Sequence, residues 1–168
     1  MTPSEQSPDL RVVHFDNEPD ELEFIPDAMY EHFMRENGNG CKIEQRQFDD
    51  DAREFVLTQK DQPSISYKFV MYRNVLLKSL KDHPADIVIL DVRDDKNDPI
   101  GLDVFDSLTS RMFKDERSKQ GNTLFFTAYR DDLDQLVSQN QIEESHIFLK
   151  PPTNRFFDSL YALLSRRM

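Results

Sequence analysis

The 168-residue chain carries 21 Lys and Arg against 32 Asp and Glu, a formal net charge of −11, with 38% hydrophobic residues, 13 Phe and no Trp. That length fits one domain with a single core under a heavily solvated surface, and so acidic a balance repels phosphate backbones and anionic lipid, so the expected partners include no nucleic acid and no membrane. The single cysteine, Cys41, excludes an internal disulfide and a cysteine-only zinc site. No apolar run reaches the length of a membrane span and the first residues lack the apolar stretch of a signal peptide, so the expected setting is cytoplasmic.

In chain order, residues 1–9 hold Pro3, Ser4, Ser7 and Pro8 and read as a flexible tail, leaving 10–168 as the folded domain. Leu10 to Phe15 reads as a strand, and Asp20 to Glu36 as a helix with Leu22, Ile25, Met29 and Phe33 on one side and Pro26 as a kink point. Asn37-Gly38-Asn39-Gly40 stops it, and Lys42 to Phe48 alternates weakly, as a peripheral strand would. The Asp49-Asp50-Asp51 run is placed to cap a short helix through Leu57, which Gln62-Pro63 would end. The spacing of Phe69, Val70, Leu76, Leu77 and Leu80 predicts a helix over 66–80.

Asp86 to Leu90 is apolar after its first residue, as a central parallel strand is. A polar loop, 93–99, precedes a helix from Gly101 with Leu102, Phe105, Leu108 and Met112 on one face. Thr123 to Phe126 and His146 to Leu149 read as strands, and Asp131 to Ser138 and Thr153 to Arg167 as helices. Strand and helix alternate five times, which calls for a doubly wound α/β fold: a five-stranded parallel sheet with helices on both faces.

In such a sheet, ligands bind beyond the carboxyl ends of the strands. Those ends carry Asp16-Asn17-Glu18, Asp91, Thr127-Ala128 and Lys150-Pro151. Clustered carboxylates invite a hard divalent cation; a lysine and a threonine hydroxyl opposite them suit phosphoryl oxygens, and an aspartate there can attack phosphorus.

The series FDNEP (Phe15 to Pro19), VILDV (Val88 to Val92), FFTA (Phe125 to Ala128) and LKPP (Leu149 to Pro152) resembles the receiver domain of two-component response regulators, in order from about Leu10 to Arg167. The resemblance implies a flavodoxin-like sheet in the order 2-1-3-4-5 and phosphotransfer to Asp91 from a histidine kinase or phosphotransfer protein. It places Asp16 and Asn17 at the acidic-pair positions, Thr127 and Lys150 at the hydroxyl and lysine positions, and the backbone carbonyl of Arg93 among the ligands of Mg2+ with Asp16, Asn17 and Asp91. It implies a signalling module rather than an enzyme, acting on an unknown downstream protein, with a homodimer allowed.

The chain departs from that pattern in several places. Asn17 stands where a metal-binding carboxylate is usual, Asp95 where a proline is usual, and Ile147 where an aromatic usually precedes the lysine. Asp16 and Asp91 are unusually far apart in the chain, which implies an insert around 49–65. These departures support an alternative: a degenerate receiver working as a phosphorylation-independent interaction module. Bland readings stand beside the functional ones, with Asp91 as a loop cap, Asp16 as an N-cap and Lys150 as a surface lysine. Asp94, Asp95 and Asp98 lack the spacing of a calcium loop, and His14, His32, His83 and His146 are scattered without a metal-binding pair. An aspartate-nucleophile phosphatase would need a second aspartate where Arg93 stands.

Overall fold

The computed structural model describes residues 10–16, 23–37, 40–48, 52–59, 62–82, 85–92, 103–105, 123–127, 130–139, 142, 144–149 and 153–166. Strand β1 (Leu10–Phe15) leads to helix α1 (Ile25–Asn37), then to three successive strands, β2 (Lys42–Phe48), β3 (Ala52–Gln59) and β4 (Gln62–Val70), and to α2 (Arg73–Asp82). After β5 (Ile87–Leu90) and β6 (Thr123–Thr127), a 3-10 turn (Arg130–Leu133) opens the short α3 (Asp134–Ser138), followed by β7 (Ile147–Leu149) and α4 (Asn154–Ser165). The expected tail and most of the helix from Gly101 lie outside the described residues, although 103–105 are helical.

The strands form one seven-stranded sheet in the order β2-β3-β4-β1-β5-β6-β7. β1 pairs in parallel with β4 and β5, and β5, β6 and β7 continue in parallel. Taken by themselves, the parallel strands β1, β4, β5, β6 and β7 stand in the order 2-1-3-4-5, as expected. The sheet exceeds the five strands of the sequence reading because β3 and β4 were not expected: β2 is the peripheral strand expected over Lys42 to Phe48, pairing antiparallel with β3 at the sheet edge, and β4 rather than β2 takes the parallel place beside β1.

Two sequence expectations are corrected here. The helix expected over 49–57 is replaced by β3, whose side chains alternate: Phe55 and Leu57 enter one core layer and Ala52 the other. The helix expected over 66–80 is two elements, because Ile65, Tyr67 and Phe69 alternate along β4 while Leu76 and Leu80 lie one helical turn apart on α2. A short apolar set satisfies either period, and here tertiary pairing decided between them. Pro26 does not kink α1: the helix begins at Ile25, so the proline falls in the first turn, where its missing N–H leaves no gap.

The sheet is buried on both faces. Leu10 and Val12 of β1 pack with Ile25, Met29 and Phe33 of α1 and with Phe156, Leu160 and Leu164 of α4. Val13 and Phe15 pack on the other face with Leu76 and Leu80 of α2 and with Leu133. Asp86 locks the start of the central pair: its backbone N–H donates to the Arg11 carbonyl at 2.8 Å, and its Oδ2 accepts from the Arg11 N–H at 2.9 Å. Across the outer helices, His32 Nε2 lies 3.4 Å from Asp158 Oδ1, and Tyr161 meets Phe33 edge-on at 5.0 Å.

One polar pair lies inside the first core layer. His14 of β1 and Tyr67 of β4 are fully buried, with His14 Nδ1 2.7 Å from the Tyr67 hydroxyl, and Phe69 and Phe126 flank the imidazole. Burial, and then the negative charge of Asp16, hold the Tyr67 pKa well above its ordinary value. Tyr67 therefore keeps its proton and donates it to Nδ1 when the imidazole carries its own proton on Nε2.

Tyr67→Phe keeps the ring and removes that donor, so urea denaturation is expected to show a loss of about 1–3 kcal/mol. Adding His14→Leu should recover most of it, since an apolar pair leaves no buried polar group unmatched. Because the folded-state pKa of Tyr67 is raised, its contribution is complete below about pH 10 and is lost as pH rises further; Tyr67→Phe should flatten that alkaline slope. An unchanged urea midpoint in Tyr67→Phe would mean that the bond contributes nothing net.

Candidate functional site

The site is built by the parallel register around β1. The Asp16 N–H donates to the Val70 carbonyl at 3.1 Å, extending the β1–β4 ladder one residue past β1. One strand away, the Asp91 N–H donates to the Phe15 carbonyl at 3.0 Å. Adjacent strands thus deliver Asp16 and Asp91 side by side to one rim of the sheet. Both are buried, Asp16 completely and Asp91 to 7% exposure, at positions where carboxylates are rarely found without partners.

Thr127 ends β6 on the same rim and is completely buried. It pairs in register with Leu149, the last residue of β7. The structure therefore brings together three of the six expected site residues: Asp16, Asp91 and Thr127. Asn17, Arg93 and Lys150 lie outside the described residues. Among the described residues no group of three or more His, Cys, Asp or Glu is placed to hold a metal ion.

Ile147 is buried in β7 opposite Phe125 and packs in the second core layer, leaving no ring at that position to rotate between core and surface. Cys41 is buried too, and burial pushes its thiol pKa up, which makes it a poor nucleophile. The sequence reading missed the His14–Tyr67 pair beneath the rim. Its one visible signal was a histidine inside an otherwise apolar strand run, two residues before Asp16.

No protein-family model matches the chain, and no curated protein matches it in sequence. Solved structures do match. A sensor protein from Polaromonas sp. JS666 aligns with a TM-score of 0.56 at 15% identity, over 96% of this chain and 100% of the other. The response regulator protein TrrA from Thermotoga maritima, solved in complex with Mg2+-BeF, aligns at 16% identity and a TM-score of 0.49 over 95% of this chain and 99% of the other. The N-terminal domain of a response regulator receiver protein from Methanoculleus marisnigri JR1 gives 15% identity and 0.47, over 93% and 94%. The parallel strand order of this chain, together with its full-length likeness to the Polaromonas structure, shows a doubly wound, flavodoxin-like fold.

Proposed function

We propose that this chain is a receiver domain of two-component signalling, which takes a phosphoryl group on Asp91 with Mg2+ and acts through protein–protein contact. The observation that carries the reading is the delivery of buried Asp16 and Asp91 to one rim by adjacent strands, with Thr127 ending the next strand but one from β1. The chain covers the full length of a solved structure with the same fold, which supports the architecture this chemistry needs.

The donor set fits a hard divalent cation: two buried carboxylates on neighbouring strand ends repel each other unless a cation or a proton intervenes. Asp16, Asn17, Asp91 and the Arg93 carbonyl would hold Mg2+, which when bound supplies positive charge to the phosphoryl oxygens. An Asp91 carboxylate oxygen attacks phosphorus, and the bond from phosphorus to the donor's nitrogen or oxygen breaks, its electron pair leaving with the donor. The Thr127 hydroxyl donates to one phosphoryl oxygen and the Lys150 ammonium pairs with another. With Ile147 buried and lacking a ring, the signal passes through Thr127 and the segment that follows it.

The donor in this reading is a histidine kinase or phosphotransfer protein, and the phosphorylated form is read by a protein partner rather than by DNA, given the charge of −11. The chain serves as a signalling module, not as an enzyme acting on a separate substrate, and a cytoplasmic setting suits it. No described helix is long and apolar enough to cross a membrane.

Incubation with Mg2+ and acetyl phosphate is expected to add one phosphoryl group by intact-mass spectrometry. The addition should be absent in Asp91→Asn and in excess chelator. Uptake that survives either change would overturn the reading, and no uptake by the wild type would favour the degenerate alternative, which Asn17 and Ile147 support.

Asn17 offers one neutral oxygen where a carboxylate would add charge, so Mg2+ should bind weakly and Asn17→Asp should tighten it about tenfold, a gain of about 1.4 kcal/mol. The same variant should be less stable without metal, because a third carboxylate adds repulsion. Calorimetric Mg2+ titration of both proteins checks this. Equal affinities would mean that Asn17 does not face the cation.

A further inference from the structure

The antiparallel strands β2 and β3 widen the sheet beyond β4, and α1 contacts both of them. Between the first turn of α1 and these strands lies a cleft of about 300 Å³. Phe55 of β3 and Phe69 of β4, each almost buried, form its apolar inner part, with Pro26 of α1 and Ile43 of β2 as walls. Gln45 adds an amide, and the rim is ionic: Arg53 Nη1 donates to Glu23 Oε1 at 3.2 Å. The Glu23 side chain is 63% exposed.

The cleft sits close to the acidic rim. Arg53 pairs with Phe69, and Phe69 pairs with His14, two residues before Asp16. Two strand spacings separate Arg53 from His14, roughly 10 Å at the backbone.

We infer that this cleft is a docking site for a protein partner that inserts one apolar or aromatic side chain flanked by lysine or arginine. Its volume is at the small end of ligand pockets, enough for one or two side chains. A buried aromatic anchor is the usual centre of such contacts, with rim charges setting partner choice. The charge argues for a basic partner: an exposed carboxylate stands at the mouth, on a chain of net charge −11. A second copy would itself carry a net charge of −11, and that repulsion opposes self-association. The cleft draws on β2 and β3 as well as on Phe69 of β4 and the first turn of α1, and its occupation does not depend on phosphorylation.

The probe is a blocked tripeptide, lysyl-phenylalanyl-arginine, titrated into the 15N-labelled full chain with amide shifts as readout. Saturable shifts are expected at Glu23, Ile43, Gln45, Arg53 and Phe69, and they should persist in Asp91→Asn. The acidic analogue, glutamyl-phenylalanyl-glutamate, and the analogue with serine in the middle should each bind about tenfold more weakly. Glu23→Lys, at an exposed position where losing a surface ion pair costs little stability, should reverse the charge preference. The inference is overturned by an absence of saturable shifts in the cleft, by equal binding of either analogue, or by an unchanged preference in Glu23→Lys. Cleft shifts that follow protein concentration without peptide would likewise overturn it, giving the site to a second copy. Loss of binding in Asp91→Asn would separate the two readings the other way, tying the cleft to the phosphoacceptor.

Discussion

Parallel pairing on both edges of β1 is the constraint on which the rest depends. Leu10 to Phe15 match Ile65 to Val70 on one side, and Val12 to Phe15 match Ile87 to Leu90 on the other. Parallel strands finish at the same rim, so whatever follows β1, β4 and β5 must converge there. Each residue beyond the ladder is still held by it, Asp16 through the Val70 carbonyl and Asp91 through the Phe15 carbonyl. A one-residue slip would turn every side chain of β1 to the opposite face, exchanging Val12 and His14 for Val13 and Phe15. The register that packs the core and the register that assembles the carboxylates are therefore the same.

Burying Asp16 and Asp91 costs stability that the apolar layers must offset. The polar interior does not end with them. His14 and Tyr67 put a hydrogen bond among rings, and the charge of Asp16 is felt at the Tyr67 hydroxyl. Such a pair resists repacking more than two apolar residues would, because separating its members strands a buried donor or acceptor. The rings around it run across the sheet from Phe55 and Tyr67 through Phe69 and His14 to Phe126 and Phe156. This layer of packed rings lies beneath the rim.

The antiparallel strands change the shape of the molecule on one side only. β7 closes the opposite edge in parallel, while β2 and β3 widen the sheet beyond β4. On β3, Phe55 and Leu57 lie in the core layer shared with α1, Ala52 and Val56 are buried as well, and Thr58 is exposed. Widening a sheet without adding a helix leaves part of a face for other uses, and here the first turn of α1 and the Glu23–Arg53 pair border it.

Several elements were legible in the residues alone, because their patterns admit one period. Ile87 to Leu90 is a fully buried central strand, β1 carries apolar residues on both faces, and α4 shows Phe156, Leu160 and Leu164 at helical spacing. Asp16, Asp91 and Thr127 were legible as strand-end polar residues, since each follows or ends an apolar run. The stretch from Ala52 to Leu80 was not. Phe69, Val70, Leu76, Leu77 and Leu80 fit a helix as a set, yet pairing with β1 and β3 draws the first two into a strand. A strand gains its stability from neighbours that are distant in the chain, and periodicity within a window of residues does not report them. The same holds for the His14–Tyr67 bond, whose members are separated by all of α1, β2 and β3. Local sequence determined where β1, β5, β6 and β7 lie and which polar residues end them; only tertiary pairing made β4 a strand of the parallel core and decided how many strands the sheet has, what lies beneath its rim, and where its open face falls.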